Sequence, residues 1–323
     1  MSPNANDTRR PSSRVGSGVA LALSSSVAFG LSGPLAKGLI DAGWTAGAAV
    51  TARLLLAATV MAVPAALSLR GRWGVLRSNL KVIAAFGTAA VAGCQFAYFN
   101  AVSHMEVGVA LLIEFTAPVA VIGWLWFRHG QRPGRMTLLG AVVAAAGLVL
   151  VLNLVAGADV DFVGVLWALG AMAGAAVYWV IAADEDNGLP PIALAAGGLL
   201  WGGMLLLGAG LVGIVPFEAP RAGVSFVGAT VPWWVPIVAL GVVTAALAYV
   251  LGIAASRRLG SRLASFVGLA EVVSALLFAW LLLGEAPTLV QLAGGTLILL
   301  GVVLVKIGEP SAAAPTAAPI EVG

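Results

Sequence analysis

The chain is a succession of apolar runs, each close to the roughly 20 residues needed to cross a hydrocarbon core of ~30 Å. Ten are predicted as membrane helices: 16–40, 46–69, 82–102, 107–127, 136–156, 163–183, 190–212, 233–255, 262–283 and 287–307. Of the 323 residues, 60% are hydrophobic and only 10% are charged, against roughly 25% charged in an ordinary soluble domain. No soluble fold of this size hides that much apolar surface. The runs are also too long, and lack the period-two alternation, for a transmembrane β-barrel. The fold class expected is an all-α polytopic membrane protein.

The charges that remain are sorted by side. Arg9, Arg10, Arg14, Arg70, Arg72, Arg77, Lys81, Arg128, Arg132, Arg135, Arg257, Arg258, Arg262 and Lys306 fall at one side of the ten runs, and Arg221 alone at the other. Lys and Arg concentrate in cytoplasmic loops, so both termini are expected in the cytoplasm. The acidic loop Asp184–Asp186 shares that side without opposing the assignment, because acids carry little weight in the rule. A net charge of +3 spread over short loops is a topology signal and not a phosphate-binding face, so no nucleic-acid partner is expected. Membrane lipid is the expected surrounding partner, and the chain is expected to be a monomer or weak dimer.

Residues 1–15 read as a polar, basic cytoplasmic tail, and 309–323, rich in Pro and Ala, as a disordered one. The first apolar run is too long for a signal-peptide core. Cys94 is the only cysteine, which excludes an internal disulfide, and it reads as a small packing residue. His104 and His129 have no metal-ligand spacing. No metal or cofactor is expected.

An internal repeat organises the runs. Residues 130–151, GQRPGRMTLLGAVVAAAGLVLV, align without gaps on 284–305, GEAPTLVQLAGGTLILLGVVLV, an offset of 284 − 130 = 154. Gly140 and Gly147 fall on Gly294 and Gly301, and Trp126 falls on Trp280. Two units follow, 16–156 and 160–308, each with five spans. Because five is odd, the second unit must lie upside down relative to the first. Inverted repeats are a mark of secondary transporters, whose substrate site lies near the midplane between the repeats.

The repeated pattern G-[EQ]-x-P-x6-G-x6-G resembles EamA-type members of the drug/metabolite transporter superfamily over about 16–308. Within it, GPLAKGLI (33–40), VTARLLLA (50–57) and LIEFTAPVAV (112–121) look most like the threonine/homoserine exporter group. Two positions depart from the family's pattern. Val272 follows Glu271 where Pro is usual, and Gln131 stands where the second repeat has Glu285. The resemblance implies a multi-pass transporter of the inner membrane that exports amino acids or related small metabolites.

Ionisable groups inside spans are costly and mark function by default. Arg53 and Glu114 fall at about the same depth, ~10–12 Å from the outer surface, and Lys37 nearer the rim. Glu114 is therefore expected to face Arg53 or Lys37 across the bundle, and Arg53 and Glu114 at equal depth suggest a pair, either as a fixed structural bridge or as a pair beside the transport path. In the second case Arg53 serves a substrate carboxylate and Glu114 an amine. Lys37 is a further path candidate or else snorkels to the rim. Gln95, Tyr98 and Asn100 are polar enough to line that path or to bond between helices. Pro118 is expected to kink the fourth helix and free a carbonyl near Glu114. Trp124, Trp126 and Trp179 are candidates for stacking on substrate. Glu271 has no basic residue at its depth and is the candidate proton carrier, or else a carboxyl bonded to backbone or to Ser24–Ser26. Glu285 is expected to brace the turn before the tenth helix.

No Walker-type phosphate loop is present, so ATP does not drive transport on this chain. No H-E-x-x-H or clustered His/Asp set supports a membrane-embedded enzyme. The leading expectation is a secondary transporter that exports a small metabolite, an amino acid or related zwitterion, with coupling to protons through Glu271 as an option. The alternatives are an uptake carrier, an exporter of another solute or drug, and a non-transporting assembly protein.

Overall fold

The computed structural model describes residues 10–117, 134–151, 161–182 and 188–308. Pro118, Trp124, Trp126, His129, Gln131, the acidic loop 184–186 and both tail ends lie outside them, as does the side chain of Trp179.

The first apolar run forms two helices, α1 (Arg10–Gly30) and α2 (Ser32–Asp41), joined at Leu31. Pro34 explains the joint. It has no N–H to give to the Gly30 carbonyl four residues back, and its ring crowds that carbonyl. Thr45 caps α3 (Ala46–Ser68), its Oγ1 accepting from Ala48 N at 3.4 Å. Two short helices follow, α4 (Trp73–Ser78) and α5 (Leu80–Ala85), and the chain then widens into a π-helix over Phe86–Gly93. It tightens again into α6 (Cys94–His104), turns, and enters α7 (Val107–Glu114).

The remaining helices are α8 (Arg135–Val151), α9 (Phe162–Ala182), α10 (Pro191–Leu211), α11 (Trp234–Val238), α12 (Ala248–Gly268), α13 (Ala270–Leu283) and α14 (Leu289–Gly308). A second π-helix, Ala239–Leu247, links α11 to α12. Asp161 caps α9, its Oδ1 accepting from Val163 N and Gly164 N. These backbone bonds, with His104 Nδ1 at 2.8 Å from Oδ2, hold the Asp161 carboxyl below the usual range.

Five stretches are long and apolar enough to cross a membrane: Gly16–Asp41, Ala46–Ser68, Leu80–His104, Pro191–Leu211 and Trp234–Gly252. Shorter apolar helices accompany them at Arg135–Leu150, Phe162–Tyr178, Ala270–Leu283 and Leu289–Val305. Leu166, Leu211 and Leu289 are more than two-thirds exposed, as lipid-facing side chains are. The all-α expectation needs one amendment. The loop after α10 carries a small hairpin, β1 (Val224–Phe226) against β2 (Ala229–Val231), turning at Gly228 with φ +80°.

Contacts between loops define two ends of the bundle. At the hairpin end, Thr45 N bonds to Glu218 O, Trp44 to Pro220 O, and Val227 N to Leu282 O. At the other, basic end, a Cβ added to Gly18 would lie 2.7 Å from Leu259, and Gly308 packs on Thr137. Ser25 Oγ donates to Ala248 O at 2.8 Å, while neighbouring Ser26 Oγ donates to Val267 O at 3.4 Å. A straight helix would part residues 248 and 267 by nearly 30 Å. The chain therefore reverses within α12, where the sequence predicts a loop between spans 233–255 and 262–283.

The repeat is visible as packing. In α8 and α14, a Cβ on Gly140 would sit 2.6 Å from Gly301 O, and one on Gly147 would sit 2.5 Å from Gly294 O. These helices are equivalent under the offset of 154 yet run antiparallel, so the contact 140–301 maps onto 294–147. The π-helices obey the same offset: 86 + 154 = 240 and 93 + 154 = 247, against the observed Ala239–Leu247.

Candidate functional site

Two helix breaks build the site. The helix α7 stops at Glu114, four residues before Pro118, whose ring would meet the Glu114 carbonyl in a continuing helix. Phe115 and Thr116 form a turn, held by Thr116 Oγ1 donating to Ile113 O at 2.7 Å. The equivalent break in the second repeat is at Leu269, between α12 and α13 (115 + 154 = 269), and Glu271 stands in the first turn after it. A carboxylate in a first helical turn also meets the positive end of the helix dipole.

Both carboxylates open into one cavity of about 160 Å³. Its walls come from both repeats: Ser25, Ser26 and Phe29 of α1, Cys94 and Gln95 of α6, Tyr178 of α9, Tyr249 and Gly252 of α12. Glu114 and Glu271 lie within each other's electrostatic reach and within that of Arg53. Phe29 and Tyr249 meet edge to face at 5.3 Å, and Tyr249 meets Tyr178 at 6.2 Å. The chamber thus offers two carboxylates, an amide, a thiol and two phenols on an aromatic wall. That set suits protons and an ammonium group, through charge and cation–π attraction.

The expected ion pair between Arg53 and Glu114 is not formed. Arg53 is only 1% exposed and has other partners. Its Nη1 donates to Ser32 Oγ at 2.7 Å and to Gln95 Oε1 at 2.5 Å, and its Nη2 donates to Thr244 O at 2.9 Å. Phe99 lies 5.6 Å from the guanidinium, and among the described residues Nε has no partner. Glu114 Oε1 instead accepts from Cys94 Sγ at 3.5 Å. Equal depth put the two charges in one layer, but they stand on different faces of it. Arg53 lies behind Gln95, outside the cavity lining.

Lys37 also differs from a partner of Glu114. It sits at the rim, donating to Val102 O at 3.0 Å and Met105 O at 3.4 Å, with Glu285 Oε1 at 3.7 Å. Glu285 does more than the expected bracing of its own turn would need: its side chain reaches across the bundle, Oε2 accepting from Val107 N at 3.1 Å at the start of α7. Burial raises the Glu285 carboxyl above its ordinary range. Tyr98 is buried between rim and cavity with its hydroxyl against Gly33. Asn100 bonds its own helix, Nδ2 to Phe96 O at 2.7 Å, and does not line the cavity. Ser25 and Ser26 face the cavity but bond backbone carbonyls, not Glu271.

Tyr178 and Tyr249 are wall residues that sequence reasoning did not single out, and Cys94, read there as a packing residue, also lines the wall. A signal existed for the phenols: the chain has only three tyrosines, and all three fall inside apolar runs.

The fold and the chamber define a membrane transporter built from two copies of one helical unit, with its polar groups gathered where the copies meet. The family profile described as EamA-like transporter matches twice, over residues 16–153 and 162–307, and the chain belongs to that family. It is 28% identical over 207 residues to an uncharacterized transporter of Archaeoglobus fulgidus, covering 64% of this chain and 70% of the relative. It is 23% identical over 219 residues to the uncharacterized inner membrane transporter YicL of Salmonella typhimurium, covering 66% and 68%. A solved crystal structure aligns over 92% of this chain and 97% of its own, with a TM-score of 0.59 at 21% identity, a likeness of fold.

Proposed function

We propose that the chain is a ten-span secondary transporter of the cytoplasmic membrane, with both termini in the cytoplasm. It exports amino acids or related small amine-bearing metabolites in exchange for protons. The observation that carries this reading is the meeting of Glu114 and Glu271, one from each repeat, in a single chamber at equivalent helix breaks. Neutralising one carboxylate weakens the field that holds a cation at the other, so a proton on one and a substrate ammonium on the other disfavour each other, which is the coupling an exchanger needs. In this reading Glu271 carries the proton, Glu114 takes the amine and Gln95 bonds the solute, with Arg53 holding Gln95 in place. Arg53 is occupied by three partners, so the amine end of the solute is what the chamber addresses.

In this conformation the chamber lies on the basic side of the Arg53 layer. The rim group Lys37–Glu285 closes the hairpin end above it. Alternating access then requires the two repeats to exchange these roles about the α8–α14 crossing.

The test uses purified protein in liposomes. Counterflow of labelled amino acids, threonine and homoserine first, is compared with transport driven by an imposed pH gradient. Glu271→Gln should abolish gradient-driven accumulation while exchange stays measurable. Accumulation equal to the wild type in that variant removes Glu271 as the carrier. Counterflow only with aromatic cationic drugs would move the substrate class to organic cations, toward which the Phe29–Tyr249–Tyr178 wall already leans.

A further inference from the structure

A second cavity, of about 240 Å³, opens on the side of the bundle near the hairpin end. Its walls come from α7 of the first repeat and from α13 and α14 of the second. Leu112, Leu276 and Leu299 make them apolar; Gly108 gives room to the Leu276 side chain, and a Cβ on Gly295 would lie 3.3 Å from Leu112. Its edges, Val273 and Leu292, are 59% and 44% exposed, so it faces sideways into the hydrocarbon rather than into the transport chamber. From Gln291 to Leu299 it descends about 12 Å.

The upper rim is acidic. Glu106 Oε2 accepts from Gln291 Nε2 at 2.6 Å, and among the described residues no cationic side chain lies within ion-pair distance of Glu106. Glu285 shares the rim, with Lys37 beside it, and feels the fields of Glu106 and Asp41. Three carboxylates around one lysine leave the rim negative.

We propose that this groove is a lipid site. It takes an acyl chain of a phospholipid from the adjacent leaflet, whose primary-ammonium headgroup, as in phosphatidylethanolamine, sits on Glu106. A bilayer supplies acyl chains to any apolar crevice open to it. The rim then selects among headgroups: it repels an anionic one, and a quaternary ammonium has no N–H to donate. Because its walls belong to different repeats, the bound chain acts as a wedge between the parts that move against each other.

Native mass spectrometry of the full chain tests this, after incubation with equal amounts of phosphatidylethanolamine, phosphatidylglycerol and phosphatidylcholine. The wild type should retain the ethanolamine lipid about fivefold over the glycerol lipid, the scale of one partly exposed ion pair. Glu106→Gln keeps the bond from Gln291 and should bring the two lipids level. Gly295→Leu, which fills the groove, should lower retention of all three. Leu292→Trp, at the exposed edge, is the second filler should Gly295→Leu fail to fold. Equal retention by the wild type, undiminished retention in a folded filler variant, or a protein dimer in place of bound lipid would overturn the proposal.

Discussion

Arg53 has the largest side chain among the fully buried residues, and a buried cation is costly unless its donors are satisfied. Its fork binds Ser32 and Gln95 of the first repeat and the Thr244 carbonyl of the second. Thr244 lies in a π-helix, where the α ladder is interrupted, so the bond from Arg53 serves a carbonyl in irregular backbone. Removing the side chain strands these acceptors, so Arg53→Ala should cost about 3 kcal/mol or more. Arg53→Lys should recover only part, because an ammonium lacks the planar fork. A double-mutant cycle between Arg53 and Gln95 should show coupling of about 1–3 kcal/mol. The cycle between Arg53 and Glu114 should fall well below it, because no bond joins them. Thermal unfolding of the purified variants measures both, and the reverse order would restore a direct Arg53–Glu114 pair.

Among the helices, the crossing of α8 and α14 leaves no room for side chains. Gly140→Ala drives a methyl against Gly301 O and Val305 N, both 2.6 Å away, so backbone must move. We expect a loss of about 1–3 kcal/mol and a lower unfolding temperature. Gly208→Ala in α10 is the control: nothing lies within 4 Å of the added carbon. It should be neutral or stabilise by up to ~1 kcal/mol through helix propensity. Equal effects from the two would mean that the crossing is loose. The paired glycines were legible as an offset of 154, but the paired π-helices were not. Gly87 and Gly241 obey the same offset, and each would crowd a neighbouring helix with any Cβ. That was the available signal, weakened by the abundance of glycine, 41 residues in this chain.

For the molecule as a whole, the basic residues decide orientation. Arg10 and Arg258 lie on elements at the end opposite the hairpin, and Arg221 lies in the loop that carries it. A reporter fused after Gly308 should read cytoplasmic, and one inserted within 214–231 should read external. Protease access or reporter activity in intact cells gives the answer. Termini on opposite sides would require an odd number of spans and would end the ten-span reading.

The sequence by itself determined the apolar runs, the sorting of basic residues among the loops between them, the repeat, and the two acidic residues worth explaining. Each of these follows from a cost the bilayer sets locally: apolar length, unsatisfied backbone, and charge at depth. Only the tertiary structure decided the partners. Counting residues along a helix gives height in the membrane, but not the face on which a side chain stands. Each residue turns that face by about 100°, and a π-helix shifts the phase of everything beyond it. Gln95 follows one π-helix and Thr244 lies in the other, which is how both come to face Arg53. For the same reason Glu114 and Glu271, 157 positions apart (271 − 114), share a chamber that no spacing in the chain announced.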